Sequence, residues 1–102
     1  PVTDAQAEAA MRDFADGAAG DIPMVSGESG APGIAALRAL IGNAEMRRKL
    51  GLDASSRVVL FNTEGATAPR LYRGIVGRGA NAVMTAQRRW LERHGISESR
   101  LT

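Results

Sequence analysis

Apolar residues recur at helical spacing in five stretches of the chain and run continuously in two others. Thr3 followed by Gln6 matches a capping box, and Ala7, Ala10, Met11 and Phe14 then share one helical face. Gly17 and Gly20 end that helix. Pro32 suits the first turn of a second helix, whose apolar face is Ile34, Leu37, Leu40 and Ile41. Asn43 can cap a short third helix with Met46 and Leu50 turned inward, closed by Gly51. Pro69 opens a fourth helix carrying Leu71, Tyr72, Ile75 and Val76, broken by Gly77 and Gly79. A fifth places Val83, Met84, Gln87, Trp90 and Leu91 on one side and stops at Gly95.

The two continuous runs are Ile22 to Ser26 and Val58 to Phe61. Short β-branched and apolar runs bounded by turns read as strands buried on both faces. The predicted order is therefore helix, strand, helix, helix, strand, helix, helix. Such alternation implies an α/β fold with a parallel sheet and right-handed crossovers. Two parallel strands lack neighbours on both edges. The expectation is that residues 1–102 form a single C-terminal segment of a larger three-layer domain. Apolar surface would then stay uncovered and drive self-association. Pro1 in place of an initiator Met fits the same expectation.

Composition narrows the class. The chain has 102 residues, 44% of them apolar, a globular value, but only 4% aromatic, so small aliphatic side chains must fill the core. There is no cysteine, which excludes disulfides and thiolate metal sites and fits a cytoplasmic setting. No apolar run approaches the ~20 residues of a membrane span. The net charge of +2 divides into −2 over residues 1–51 and +4 over residues 52–102. Arg70, Arg73, Arg78, Arg88, Arg89 and Arg93 sit at helix-surface spacing with one Trp and one Tyr for stacking. That pattern suits a solvated face better than a nucleic-acid footprint. No metal-ligand spacing is present.

Candidate chemistry lies in two polar turns, because open α/β sheets bind ligands beyond the carboxyl ends of their strands. The first turn is Ser26-Gly27-Glu28-Ser29-Gly30-Ala31-Pro32-Gly33, and the second is Asn62-Thr63-Glu64-Gly65-Ala66-Thr67. The first is no nucleophile elbow, since G-x-S-x-G would need glycine where Ala31 stands. The single histidine, His94, reads as a helix C-terminal residue complementing the dipole. Anion binding at the helix start after the first turn is chemically sound.

The two turns together, in order and spacing, resemble the C-terminal part of tryptophan-synthase-β-like (fold type II) pyridoxal-phosphate enzymes. The closest likeness is to the diaminopropionate ammonia-lyases. Ser26 to Ala31 carries the first motif, and Thr63-Glu64-Gly65 with Thr67 and Tyr72 carries the second. The likeness runs from about Val2 to about Val76; Arg78 to Thr102 adds little. It implies a cofactor-binding role for Thr63, Glu28, Ser29, Gly30 and Glu64. The Thr63 hydroxyl would meet the pyridine nitrogen of pyridoxal 5'-phosphate as a neutral partner, which leaves the ring a weaker electron sink. Glu28, Ser29 and Gly30 would line the ring near its nitrogen and 3-hydroxyl, and Glu64 would orient its loop.

The resemblance also shows what this chain lacks. The family needs a Schiff-base lysine and a glycine-rich phosphate loop. Lys49, the only lysine, lies in a polar helix end beside Arg47 and Arg48, unlike the desolvated amine such chemistry requires. No catalytic residue is therefore assigned within the chain. The implied activity is β-elimination of 2,3-diaminopropionate to pyruvate and ammonia, performed by a longer enzyme and absent from this segment alone. The implied partners are the upstream part of that enzyme, a second copy in a homodimer and a small amino-acid substrate, without nucleic acid or membrane. A serine/threonine dehydratase-like fragment remains an alternative, as does a non-catalytic α/β module that binds an anion or a partner.

Overall fold

A computed structural model describes residues 1–96, and the end of the tail lies outside the described residues. The elements are α1 (Asp4–Asp16), a 3-10 turn (Ala18–Gly20), α2 (Pro32–Ile41), α3 (Ala44–Leu50), α4 (Pro69–Val76) and α5 (Ala80–Arg93). Each helix begins and ends where its punctuation predicts. Thr3 and Gln6 form the reciprocal capping box of α1, and the Asn43 side chain accepts from the Met46 N–H to cap α3. Pro32 and Pro69 occupy the first turns of α2 and α4, where a missing N–H costs nothing. Gly17 closes α1 in the left-handed conformation, φ 63°, and a Cβ there would collide with the Asp21 carbonyl.

The core is small and made of short side chains. Ala10, Met11 and Ala15 of α1 pack with Ala31, Ala35, Tyr72 and Val83. Helix α1 is the centre of this arrangement and lies against both α2 and α4. Polar cross-links supplement the thin core. The Arg78 guanidinium donates to the Ala15 carbonyl at 2.9 Å and pairs with Asp16, which pins the α4–α5 corner to the end of α1. Arg38 of α2 pairs with Asp13 of α1 at 2.6 Å. The Gln87 amide donates to the Pro23 carbonyl at 3.0 Å, and the Trp90 indole donates to the Gly20 carbonyl at 3.1 Å, tying α5 to the segment after α1. Several of the basic residues thus act as struts.

The strands do not form. Among the described residues every regular element is helical, so the expected α/β parallel-sheet segment is corrected to an all-helical arrangement with two extended loops. The physical reason lies in pairing. Ile22–Ser26 and Val58–Phe61 meet only near their carboxyl ends, where the Gly27 N–H donates to the Glu64 carbonyl at 2.9 Å. Upstream of that contact the runs share no backbone ladder, and a strand without a paired neighbour gains neither hydrogen bonds nor cross-strand packing. The second run is correspondingly bare: Val59 is 78% and Phe61 83% exposed, with Val58 and Leu60 also exposed. Helical positions expected on apolar faces also stand in solvent, among them Ile41, Leu50 at 54% exposure and Met84. Helix α3 ends beyond the reach of the core, and Met84 follows the buried Val83 on the outer side of α5.

Candidate functional site

The two polar turns predicted to carry chemistry come together without a sheet to hold them. Helix α1 and the first turn of α2 support the Ser26–Ala31 loop, since Ala31 is fully buried against α1. The first loop is itself wound as a turn, with the Gly30 and Ala31 N–H groups donating to the Gly27 carbonyl at 3.1 and 3.0 Å. Helix α4 anchors the second loop through Tyr72, whose N–H donates to the Ala68 carbonyl at 2.9 Å. Between the loops run three bonds: Gly27 N–H to the Glu64 carbonyl at 2.9 Å, Ser26 Oγ to Asn62 Oδ1 at 2.9 Å, and Asn62 Nδ2 to the Val25 carbonyl at 3.0 Å.

The approach is close enough to require glycine. A Cβ on Gly27 would collide with the Gly65 carbonyl and stand 2.7 Å from Glu64 Oε1. A Cβ on Gly30 would collide with Asn62 Oδ1 and lie 2.8 Å from Ser26 Oγ. The space left between the loops is about 10 Å³, lined by Gly27, Glu28, Glu64, Thr67, Met11 and Tyr72. That is room for about one water molecule and nothing larger.

The structure places the expected site residues as follows. Glu28 and Ser29 stand exposed on the first turn, with Gly30 half-buried behind them. Thr63 is exposed on the second loop, and among the described residues its hydroxyl has no hydrogen-bond partner. The half-buried Glu64 is tied inside its own loop, where its carboxylate accepts from Thr67 Oγ1 at 3.2 Å. Lys49 stays apart on the exposed end of α3, paired with Glu45 at 3.2 Å. His94 stacks on Trp90 with ring centroids 3.7 Å apart, as a helix-end residue. Among the described residues no three His, Cys, Asp or Glu side chains gather to hold a metal ion, and no helix is long and apolar enough to cross a membrane.

Sequence reasoning missed Ser26 and Asn62 as partners. Ser26 ends an apolar run and has 0% of its surface exposed, and Asn62 ends the other run. A polar residue closing each of two apolar runs was the available signal. Tyr72 is the other quiet polar group. It is 2% exposed, and among the described residues its hydroxyl has no partner. Burial pushes the phenol above its ordinary value, opposed in part by the nearby Arg78 charge.

Comparison with characterised proteins finds a partial match. A 65-residue stretch, 61% of this chain, is 45% identical to a protein of Salmonella typhimurium strain LT2. That relative is a diaminopropionate ammonia-lyase. Its similarity agrees with the resemblance carried by the two turns. The chain spans 16% of the length of the diaminopropionate ammonia-lyase it matches. No protein-family model matches the chain.

Proposed function

We propose that this chain is one part of a pyridoxal-phosphate-dependent ammonia-lyase, and that its two joined loops form one wall of the cofactor site. The reaction is elimination of the β-amino group of 2,3-diaminopropionate as ammonia, followed by hydrolysis to pyruvate and a second ammonia. The observation that carries the reading is the 45% identity to a diaminopropionate ammonia-lyase, in a chain whose two motif loops lie side by side.

The donors present fit the ring of the cofactor on the outer face of the loops. The gap between the loops is too small for a pyridine, whereas the Thr63 and Ser29 side chains are exposed. Pyridoxal phosphate, when bound, would supply the electron sink that loss of the β-amino group requires. Thr63 Oγ1 would donate to the pyridine nitrogen, a neutral contact that would leave that nitrogen unprotonated. Glu28, Ser29 and Gly30 would line the ring edge toward the nitrogen and 3-hydroxyl. Glu64 orients the loop through its bond to Thr67 and its carbonyl contact to Gly27.

The lysine and the phosphate loop come from outside this chain. Lys49 is solvated and already paired with Glu45, so it does not supply the nucleophilic amine. The uncovered apolar row Val58–Phe61 is the kind of surface that a larger protein buries, and the upstream part of the same polypeptide is the partner we assign to it. The test is pyruvate formation from 2,3-diaminopropionate by this chain alone and by the native protein purified from its own cells. The expected result is no turnover by the chain and turnover by a native polypeptide several times its mass. A native protein that contains this sequence and releases no pyruvate would overturn the assignment.

A further inference from the structure

We infer that Asn62 and Ser26 are a positioning pair that fixes the Thr63 hydroxyl in place against the Glu28–Gly30 turn. The use of that hydroxyl rests on the cofactor-wall reading above; the pairing itself rests on geometry. Asn62 stands immediately before Thr63, and a carboxamide offers both an acceptor and donors. Both ends are engaged: Oδ1 accepts from Ser26 Oγ at 2.9 Å, and Nδ2 donates to the Val25 carbonyl at 3.0 Å. Immediately after Thr63, the Glu64 carbonyl accepts from the Gly27 N–H at 2.9 Å. Thr63 is therefore clamped on both sides to consecutive residues of the other loop, while its own side chain is exposed and without a hydrogen bond among the described residues.

That arrangement presents one free hydroxyl from a fixed backbone, which reduces the ordering cost of any ligand it meets. Ser26 is the buried half of the pair. With no exposed surface, its hydroxyl would have no water to replace Asn62 as its acceptor. Gly30 completes the fit, because a Cβ there would press on Ser26 Oγ at 2.8 Å and on the Glu64 carbonyl at 3.1 Å.

The experiment uses the isotope-labelled chain and two nuclear-magnetic-resonance readouts. The first is amide hydrogen exchange at Gly27. The second is titration with 4'-deoxypyridoxine 5'-phosphate, which has no aldehyde to condense with Lys49 and whose weak binding is still visible as shifts. In the unaltered chain the Gly30 and Thr63 amides should shift along one binding curve. In Asn62→Ala and Ser26→Ala, Gly27 exchange should rise by about tenfold, as expected when a net hydrogen bond is lost. The Thr63 shift should then separate from that of Gly30, while interior amides of α1 and α5 keep their protection. Asn62→Asp keeps the acceptor for Ser26 and loses the donor to Val25, and should fall between. Unchanged Gly27 exchange in both alanine variants overturns the inference, as does equal loss of protection in α1 and α5. If the ligand shifts neither loop while Gly27 responds as stated, the pairing stands and the cofactor-wall reading is what fails.

Discussion

Replacing Gly27 by alanine tests whether the two loops meet as tightly as described. The backbone at Gly27 does not have positive φ, so alanine carries no conformational penalty there and the effect is steric. The new methyl would collide with the Gly65 carbonyl, a backbone atom that cannot rotate away, and would stand 2.7 Å from Glu64 Oε1. Forcing an extra carbon into a packed site costs about 1–3 kcal/mol. Parting the loops also breaks the Gly27–Glu64 bond, worth about 1 kcal/mol net. The sum, about 2–4 kcal/mol, is a large share of the roughly 5–15 kcal/mol that holds a typical domain together. At about 4–8 °C per kcal/mol for a chain of this size, the melting temperature should drop by roughly 10 °C or more. Far-ultraviolet circular dichroism during urea and thermal unfolding measures it. Gly74→Ala is the internal control: it lies inside α4 with open space around it, and should stabilise by about 0.5–1 kcal/mol. A Gly27→Ala chain within about 0.5 kcal/mol of the original would refute the close approach of the loops.

Three further outcomes are expected. Met11→Ala, which empties one of the few large buried positions, should cost about 2–5 kcal/mol in urea unfolding, and a smaller loss would mean that the core is not centred on α1. Phe61→Ser should change stability by less than about 0.5 kcal/mol because the ring is already in solvent; a larger loss would show that the row is packed. Burial raises the Tyr72 phenol above 10.0, so the folded state holds that proton more tightly than the unfolded chain. Its contribution is fully present below pH 10.0 and is lost as the pH rises through the higher folded value, and Tyr72→Phe should abolish that alkaline decline in unfolding free energy.

The helices were legible because their signals are local. Thr3 with Gln6, Asn43, Pro32 and Pro69 each act within one turn of chain, so sequence alone locates the ends of the elements. The strands were misjudged because strand formation depends on partners. Val58–Phe61 has the composition of a buried strand, but nothing among the described residues pairs with it. Leu50 and Met84 show the same limit for helices: periodicity names an apolar face and does not say what covers it. The two candidate loops were legible as motifs, and they meet through the Gly27 N–H and the Glu64 carbonyl without the neighbouring strands that were expected to bring them together. Ser26 and Asn62 were not legible as a pair, since their bond joins residues 36 apart and neither residue type is unusual at the end of an apolar run.

The central claim is that the Thr63 loop meets the cofactor ring, and its most direct measurement is the pyridoxal phosphate dissociation constant of the native-length protein carrying Thr63→Ala. Losing a hydroxyl that serves a dry ring nitrogen should weaken binding by about 1–3 kcal/mol, roughly fivefold to a hundredfold, with the melting temperature of the cofactor-free protein little changed. Thr63→Ser should bind nearly as well as the original. Unchanged cofactor affinity in Thr63→Ala, together with a lowered melting temperature, would contradict the account and leave Thr63 as a turn residue alone.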